Sequence, residues 1–127
     1  MDMHVFIGGA FAGTLEAAQD RYPEAPVIRP GESFPPENGA VIIHDFRQYL
    51  HQNGEKAFHH LLDRLPAERI VLVMEEMGNG VVPLEKELRK LRDANGRAAA
   101  RAVRKADDAD YVWYGLSRPM KRRRREA

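Results

Sequence analysis

Two glutamates, Glu75 and Glu76, follow directly on five apolar residues, Ile-Val-Leu-Val-Met at 70–74, in a chain of 127 residues. Carboxylates in that place can accept a proton, hold a hydroxyl or carry a cation, provided that the strand before them ends at a ligand-binding edge. The β-branched residues at 70, 71 and 73 predict a strand buried on both faces of a parallel sheet. Gly78 and Gly80 then predict a short turn, and Pro83 opens a long helical pattern. A strand, an acidic turn and a helix start without chemistry fit the same residues, so spacing alone leaves both readings open.

A second group lies near the start. His4-Val5-Phe6-Ile7 leads into Gly8-Gly9-Ala10-Phe11-Ala12-Gly13, and Gly8 and Gly13 have the spacing of the phosphate loop G-x-x-x-x-G-K-[ST]. In such a loop, glycines let backbone N–H groups converge on a phosphate at a helix N-terminus. Here Thr14 stands where a lysine would reach the phosphates, and Leu15 stands where a hydroxyl would ligate Mg²⁺. Gly8, Gly9, Gly13 and Thr14 remain the candidate phosphate- or nucleotide-binding residues, and a plain glycine turn fits them as well. His51, His59 and His60 are spaced by eight, nine and one, not the i, i+4 of a helical metal pair, so no metal site is expected.

The elements that must position these groups alternate along the chain. Strands are predicted at 4–7, 27–28, 40–43, 70–74 and 111–114. Helical patterns are predicted over 14–22, over 49–65 with an interruption at Asn53-Gly54, and from Leu84 through Ala102 to Asp107-Asp108. Residues 115–121 turn outward through Pro119. This predicts a three-layer α/β fold with a mostly parallel sheet of about five strands and helices on both faces. Gly96 sits inside the long helix at a cost of about 1 kcal/mol relative to alanine, which points to close approach by a backbone or ligand.

The motifs also carry a family resemblance, covering residues 69–121. Residues 75–83, Glu-Glu-Met-Gly-Asn-Gly-Val-Val-Pro, resemble the Asn-Glu-Val-Gly-x-Gly-Ile-Val-Pro motif of the bifunctional adenosylcobinamide kinase and adenosylcobinamide-phosphate guanylyltransferase of cobalamin biosynthesis. Arg92-Asp93-x-x-Gly96-Arg97 looks like that family's Arg-Asp-x-x-Gly block, and residues 109–113 look like its last core strand. The resemblance implies a P-loop nucleotide-binding-like domain, ATP or GTP as cofactor, and a nucleotide or corrinoid as small-molecule partner. It implies a pocket of Glu75, Glu76, Gly78, Gly80, Pro83, Arg92, Asp93 and Gly96, with Glu76 and Arg92 as catalytic candidates.

Departures from the family pattern are several. Besides Thr14 and Leu15, residues 29–39 contain no histidine to accept GMP, and the acid that ends the third strand becomes His44, with Asp45 one position late. Asp45 could equally cap the next helix. The family's Asn-Gln pair is replaced by Ala99 and Ala100. The expectation is reduced or lost catalysis, weak binding of ATP or GTP and little use of Mg²⁺. An active nucleotide-dependent kinase or nucleotidyltransferase of that pathway is the alternative.

Length suits one domain, residues 1–120, followed by a basic tail at 121–127. Hydrophobic and charged shares of 43% and 31% are ordinary for a globular chain and exclude wholesale disorder. No apolar run approaches the ~20 residues of a spanning helix, and the start lacks the features of a signal peptide, so a cytoplasmic protein without a membrane partner is expected. Absence of cysteine removes disulfides and thiolate metal sites. Residues 1–88 hold 7 basic and 14 acidic side chains, a balance of −7; residues 89–127 hold 13 and 5, a balance of +8. The run Lys-Arg-Arg-Arg-Arg at 121–125 carries much of that surplus and reads as a solvated, disordered tail. No aromatic residues are interleaved with it, so a nucleic-acid-binding module using this tail is only a second alternative. A homo-oligomer or a family partner stays open.

Overall fold

The computed structural model describes residues 2–10, 12–34, 39–65, 69–76 and 85–122. In chain order they form β1 (Asp2–Gly8), α1 (Thr14–Arg21), β2 (Val27–Ile28), β3 (Ala40–Ile43), α2 (Phe46–Asp63), β4 (Arg69–Glu75), α3 (Lys86–Lys105), β5 (Asp108–Trp113) and β6 (Leu116–Lys121). One sheet holds the strands in the order β2-β3-β4-β1-β5-β6, all parallel except the β5–β6 pair.

Position in that order follows from composition. β1 and β4 carry the longest unbroken runs of buried residues, and they lie side by side at the centre, in register from Asp2↔Arg69 to Gly8↔Glu75. Alternate side chains go to opposite faces. Met3, Val5, Ile7, Ile70, Leu72 and Met74 pack against α2 and α3, whereas Phe6, Val71 and Val73 pack on the other face with Ala18 of α1. Each fully buried Leu, Ile, Val or Phe among them stabilises the fold by roughly 1.5–3 kcal/mol.

Helices therefore cover both faces. The chain leaves β1 over one face through α1 and leaves β4 over the other through α3, so the two central strands send their connections in opposite directions. Such a switch point opens a crevice at the carboxyl ends of the strands.

The interruption expected at Asn53-Gly54 is a bend in α2, where Gly54 has φ 86° and ψ 169°. Phe46 and Leu50 before the bend and Phe58 and Leu62 after it are all buried, and the rings of Phe46 and Phe58 meet edge to face at 5.4 Å.

Three expectations need correction. The sheet has six described strands rather than about five, because residues 116–121 return along β5 as an antiparallel edge strand instead of turning outward. Pro119 is tolerated there because an edge strand does not need every N–H. β5 begins at Asp108, three residues before the predicted start at Tyr111, and includes the buried Asp110. Lys121 and Arg122, assigned from sequence to a disordered tail, are held in place. The Lys121 ammonium donates to the carbonyls of Val103 and Arg104 at 3.1 and 3.0 Å, where a helix C-terminus attracts a cation. Arg122 pairs with Asp110 at 2.7 Å. Residues 123–127 lie outside the described residues.

Candidate functional site at the carboxyl edge

At the crevice between the ends of β1 and β4 lies a cleft of about 690 Å³. Gly9, Gly13, Thr14, His44, Arg47 and Glu75 are among its walls. Gly8 ends β1 beneath it. A side chain at Gly8 would collide with the Val112 carbonyl and reach within 2.7 Å of the Thr14 hydroxyl, so only glycine fits. Gly13, with φ 81°, turns the chain into α1 and offers no side-chain cap to the helix. The first N–H groups of a helix have no partner within it.

Thr14 sits at that N-terminus, only 8% exposed, and its hydroxyl has no hydrogen-bond partner among the described residues. A buried, unpaired hydroxyl costs stability, on the order of 1–3 kcal/mol. The charges around the cleft are mostly acidic. Among the described residues, Glu16, Asp45 and Glu75 line it against the one guanidinium of Arg47. Among the described residues no group of three or more histidine or carboxylate side chains could hold a metal ion.

The structure divides the residues singled out from sequence. Gly9, Gly13, Thr14 and Glu75 come together around the cleft, with Gly8 below. Glu76 does not join its walls. Its backbone N–H donates to the Gly8 carbonyl at 2.7 Å, and its carboxylate accepts the Tyr111 hydroxyl at 2.9 Å, which turns it toward β5. This bond also holds the Tyr111 hydroxyl protonated to higher pH than usual. Arg92 and Asp93 are paired with each other on α3 at 3.0 Å and do not line the cleft. Gly96 is exposed, and no described atom lies within 4 Å of where its Cβ would be, so the close approach inferred from its presence is not found among the described residues. Gly78, Gly80 and Pro83 fall outside the described residues. Asp45 occupies the N-cap position of α2 with φ 72° but makes no side-chain cap bond; its carboxylate lies 3.7 Å from Arg29.

Sequence reasoning missed two groups. Asn95 is buried and donates from its amide to the Glu75 carbonyl at 2.7 Å, fixing the end of β4. Its signal was available, since it interrupts the apolar stripe Leu88, Leu91, Ala98, Ala102 at the position where an apolar residue is due. The second is a chain of polar groups under α1. Tyr22 donates its hydroxyl to His4 Nδ1 at 2.7 Å, His4 Nε2–H donates to Asp110 at 2.6 Å, and the other Asp110 oxygen accepts from Arg122. His4 is 4% exposed and stacks on Phe6 at 4.3 Å between ring centres. Burial lowers its pKa below the ordinary value, and it outweighs the opposing pull of Asp110.

No family model matches the chain, and no curated protein matches it. No helix of the described residues is long and apolar enough to cross a membrane.

Proposed function

We propose that this chain is a small-ligand-binding domain of P-loop-like ancestry, resembling the adenosylcobinamide kinase and guanylyltransferase family but with catalysis reduced or lost. Its ligand, a nucleotide or a corrinoid, sits in the cleft at the ends of β1 and β4. The observation that carries the reading is the cleft's own chemistry: a glycine turn and an orphaned Thr14 hydroxyl at a helix N-terminus, facing three carboxylates and one guanidinium. The first half invites an anion or a hydroxyl-rich ligand. The second half opposes polyphosphate, because phosphoryl transfer depends on cations that neutralise developing charge and, among the described cleft residues, Arg47 is the one such group.

Calorimetry with ATP, GTP and cobinamide, each with and without Mg²⁺, tests this. Nucleotide binding is expected near the millimolar range, about −4 kcal/mol, and indifferent to Mg²⁺. Micromolar, Mg²⁺-dependent binding would return the chain to the active transferases. His44 is the one histidine on the described cleft wall, so a GMP adduct on His44 after incubation with GTP, seen by intact-mass spectrometry, would do the same.

A further inference from the structure

A second cavity, of about 550 Å³, adjoins the cleft beside β3 and α2. Asp45 lines both cavities, so the two share a wall. The second is bounded by residues 29–32, which follow β2, and by Gln48, Tyr49, Gln52 and Asn53 of α2. Together with Asp45 these α2 positions have the i, i+3, i+4, i+7, i+8 spacing by which a helix presents one face. A neighbouring face of α2 sends Phe46, Leu50, Phe58 and Leu62 into the core. The face toward the cavity is polar except for the Tyr49 ring.

Asp45 behaves unlike an ordinary cap. An aspartate at the N-cap usually accepts a backbone N–H of the first turn. With φ 72°, Asp45 makes no such bond, and its carboxylate stands 3.7 Å from the Arg29 guanidinium, too far for a hydrogen bond. Gln48 and Gln52 add two amides one turn apart on the same wall. The other polar groups there are engaged: Glu32 accepts the Arg29 backbone N–H, and the Asn53 amide donates to the Tyr49 carbonyl. Gly31, with φ 88°, puts no side chain over the Tyr49 ring, whose nearest carbon is 4.0 Å from where a Cβ would stand.

We infer that this second cavity is a sugar subsite, which takes a polyhydroxyl part of the cleft's ligand; Asp45 accepts from two vicinal hydroxyls, and Arg29, Gln48 and Gln52 meet the others. The inference rests on the proposed reading of the cleft as a ligand site and names one part of that ligand. A carboxylate only accepts hydrogen bonds, a guanidinium only donates them, and an amide does both. A hydroxyl also does both, so a row of hydroxyls satisfies this mixed wall where a single-purpose group does not. A phosphate has no proton to give Asp45 and would meet the carboxylates of Asp45 and Glu32 against one guanidinium. An ammonium would leave the Arg29 donors unused and face their charge. An apolar group would cover four polar side chains without pairing them. The Tyr49 ring supplies an apolar floor for the C–H face of a sugar while the polar groups fix its orientation.

Adenosine is a suitable probe, because it carries a vicinal diol and no phosphate, and 2′,3′-dideoxyadenosine differs from it by the diol alone. Both are titrated into the isotope-labelled full chain and followed by NMR at backbone and side-chain amides. Adenosine should shift the Gln48 and Gln52 side-chain amides together with the Gly13 and Thr14 backbone N–H groups. Dideoxyadenosine should bind roughly tenfold more weakly, as expected for hydrogen bonds lost to a charged group. Asp45→Asn should erase most of that preference at an unchanged melting temperature, since asparagine tolerates the left-handed backbone and a surface ion pair adds little. Gln52→Leu should weaken adenosine severalfold and leave dideoxyadenosine as it was. Equal affinity for the two nucleosides, an unaltered preference in Asp45→Asn, or shifts at Gly13 and Thr14 without Gln48 and Gln52 would each overturn the subsite while leaving the cleft a ligand site. Methyl ribofuranoside binding as tightly as adenosine would overturn the joined ligand in favour of a free sugar. Failure of adenosine, ATP and cobinamide alike to shift Gly13, Thr14 or His44 would sink the reading of the cleft and the subsite with it.

Discussion

The two ends of α1 treat polar groups in opposite ways. At its start, the Thr14 hydroxyl is buried without a partner beside an open cleft. At its finish, Tyr22, His4, Asp110 and Arg122 form an unbroken chain of hydrogen bonds in which every buried group is satisfied. A satisfied network rigidifies a core, whereas an unsatisfied buried group costs stability and calls for a reason, which the proposed ligand would supply. On the proposed reading, one end of this helix serves the fold and the other, eight residues away, serves a ligand.

The sharpest way to break this contrast is Asp110→Ala, which leaves His4 and Arg122 without their common partner. Arg122 is half exposed and can turn to water, but the buried His4 Nε2–H is left unpaired, which should cost roughly 1–3 kcal/mol, measured by urea unfolding. A cost below about 1 kcal/mol would mean that the network does not hold the fold together. The opposite end should answer with the opposite sign. Thr14→Val removes an unpaired hydroxyl with little change of shape, so stability should rise by about 1–2 kcal/mol while cleft affinity falls. Equal or lower stability would show that the hydroxyl is satisfied in solution.

A smaller effect is expected from pH. His4 faces Asp110 and Asp108 on one side, with Arg122 and the Tyr22 hydroxyl also against it, and its pKa in the folded state is lowered by burial. The unfolded chain then binds the proton more readily. Stability from this group is fully present above the ordinary histidine pKa and is lost as pH falls through the depressed folded value, by at most about 1.4 kcal/mol per unit. Melting temperature should therefore drop between pH 7 and 5, and His4→Gln should flatten that slope; an unaltered slope would assign the acid sensitivity to other groups. Smallest of all is Gly96→Ala on α3. With open space around it, alanine should stabilise by about 0.5–1 kcal/mol in a thermal melt, and a loss instead would reveal a contact outside the described residues.

Much of this architecture was legible from residue patterns. The apolar, β-branched segments 40–43 and 70–74 place β3 and β4 nearly to the residue, and Asn53-Gly54 marks the bend in α2. What escaped was polar and long-range. Asp107 and Asp108 read as helix-ending acids, and although 109–113 resembles a core strand, nothing local says that His4, more than 100 positions earlier, and Arg122 will pair with Asp110 inside the sheet. The hairpin escaped for a related reason: Tyr114-Gly115 lacks the asparagine that announces such a turn. Glycine spacing singled out residues that line the cleft, but side-chain direction did not follow from spacing. Glu75 faces the cleft and Glu76 turns to Tyr111, although the two are neighbours.

The central place of β1 bears on how the chain is made. Its partners are 67 residues downstream at Asp2↔Arg69 and 104 residues downstream at His4↔Asp108. At synthesis rates of roughly 5–20 residues per second, this buried strand waits several seconds for its first central neighbour and about one and a half times as long for its second. Until then both of its edges are open templates for pairing with other nascent chains. Folding should consequently be slow and late, completed only once β5 has emerged, and yield during expression should depend more on shielding residues 3–7 than on the stability of the finished sheet.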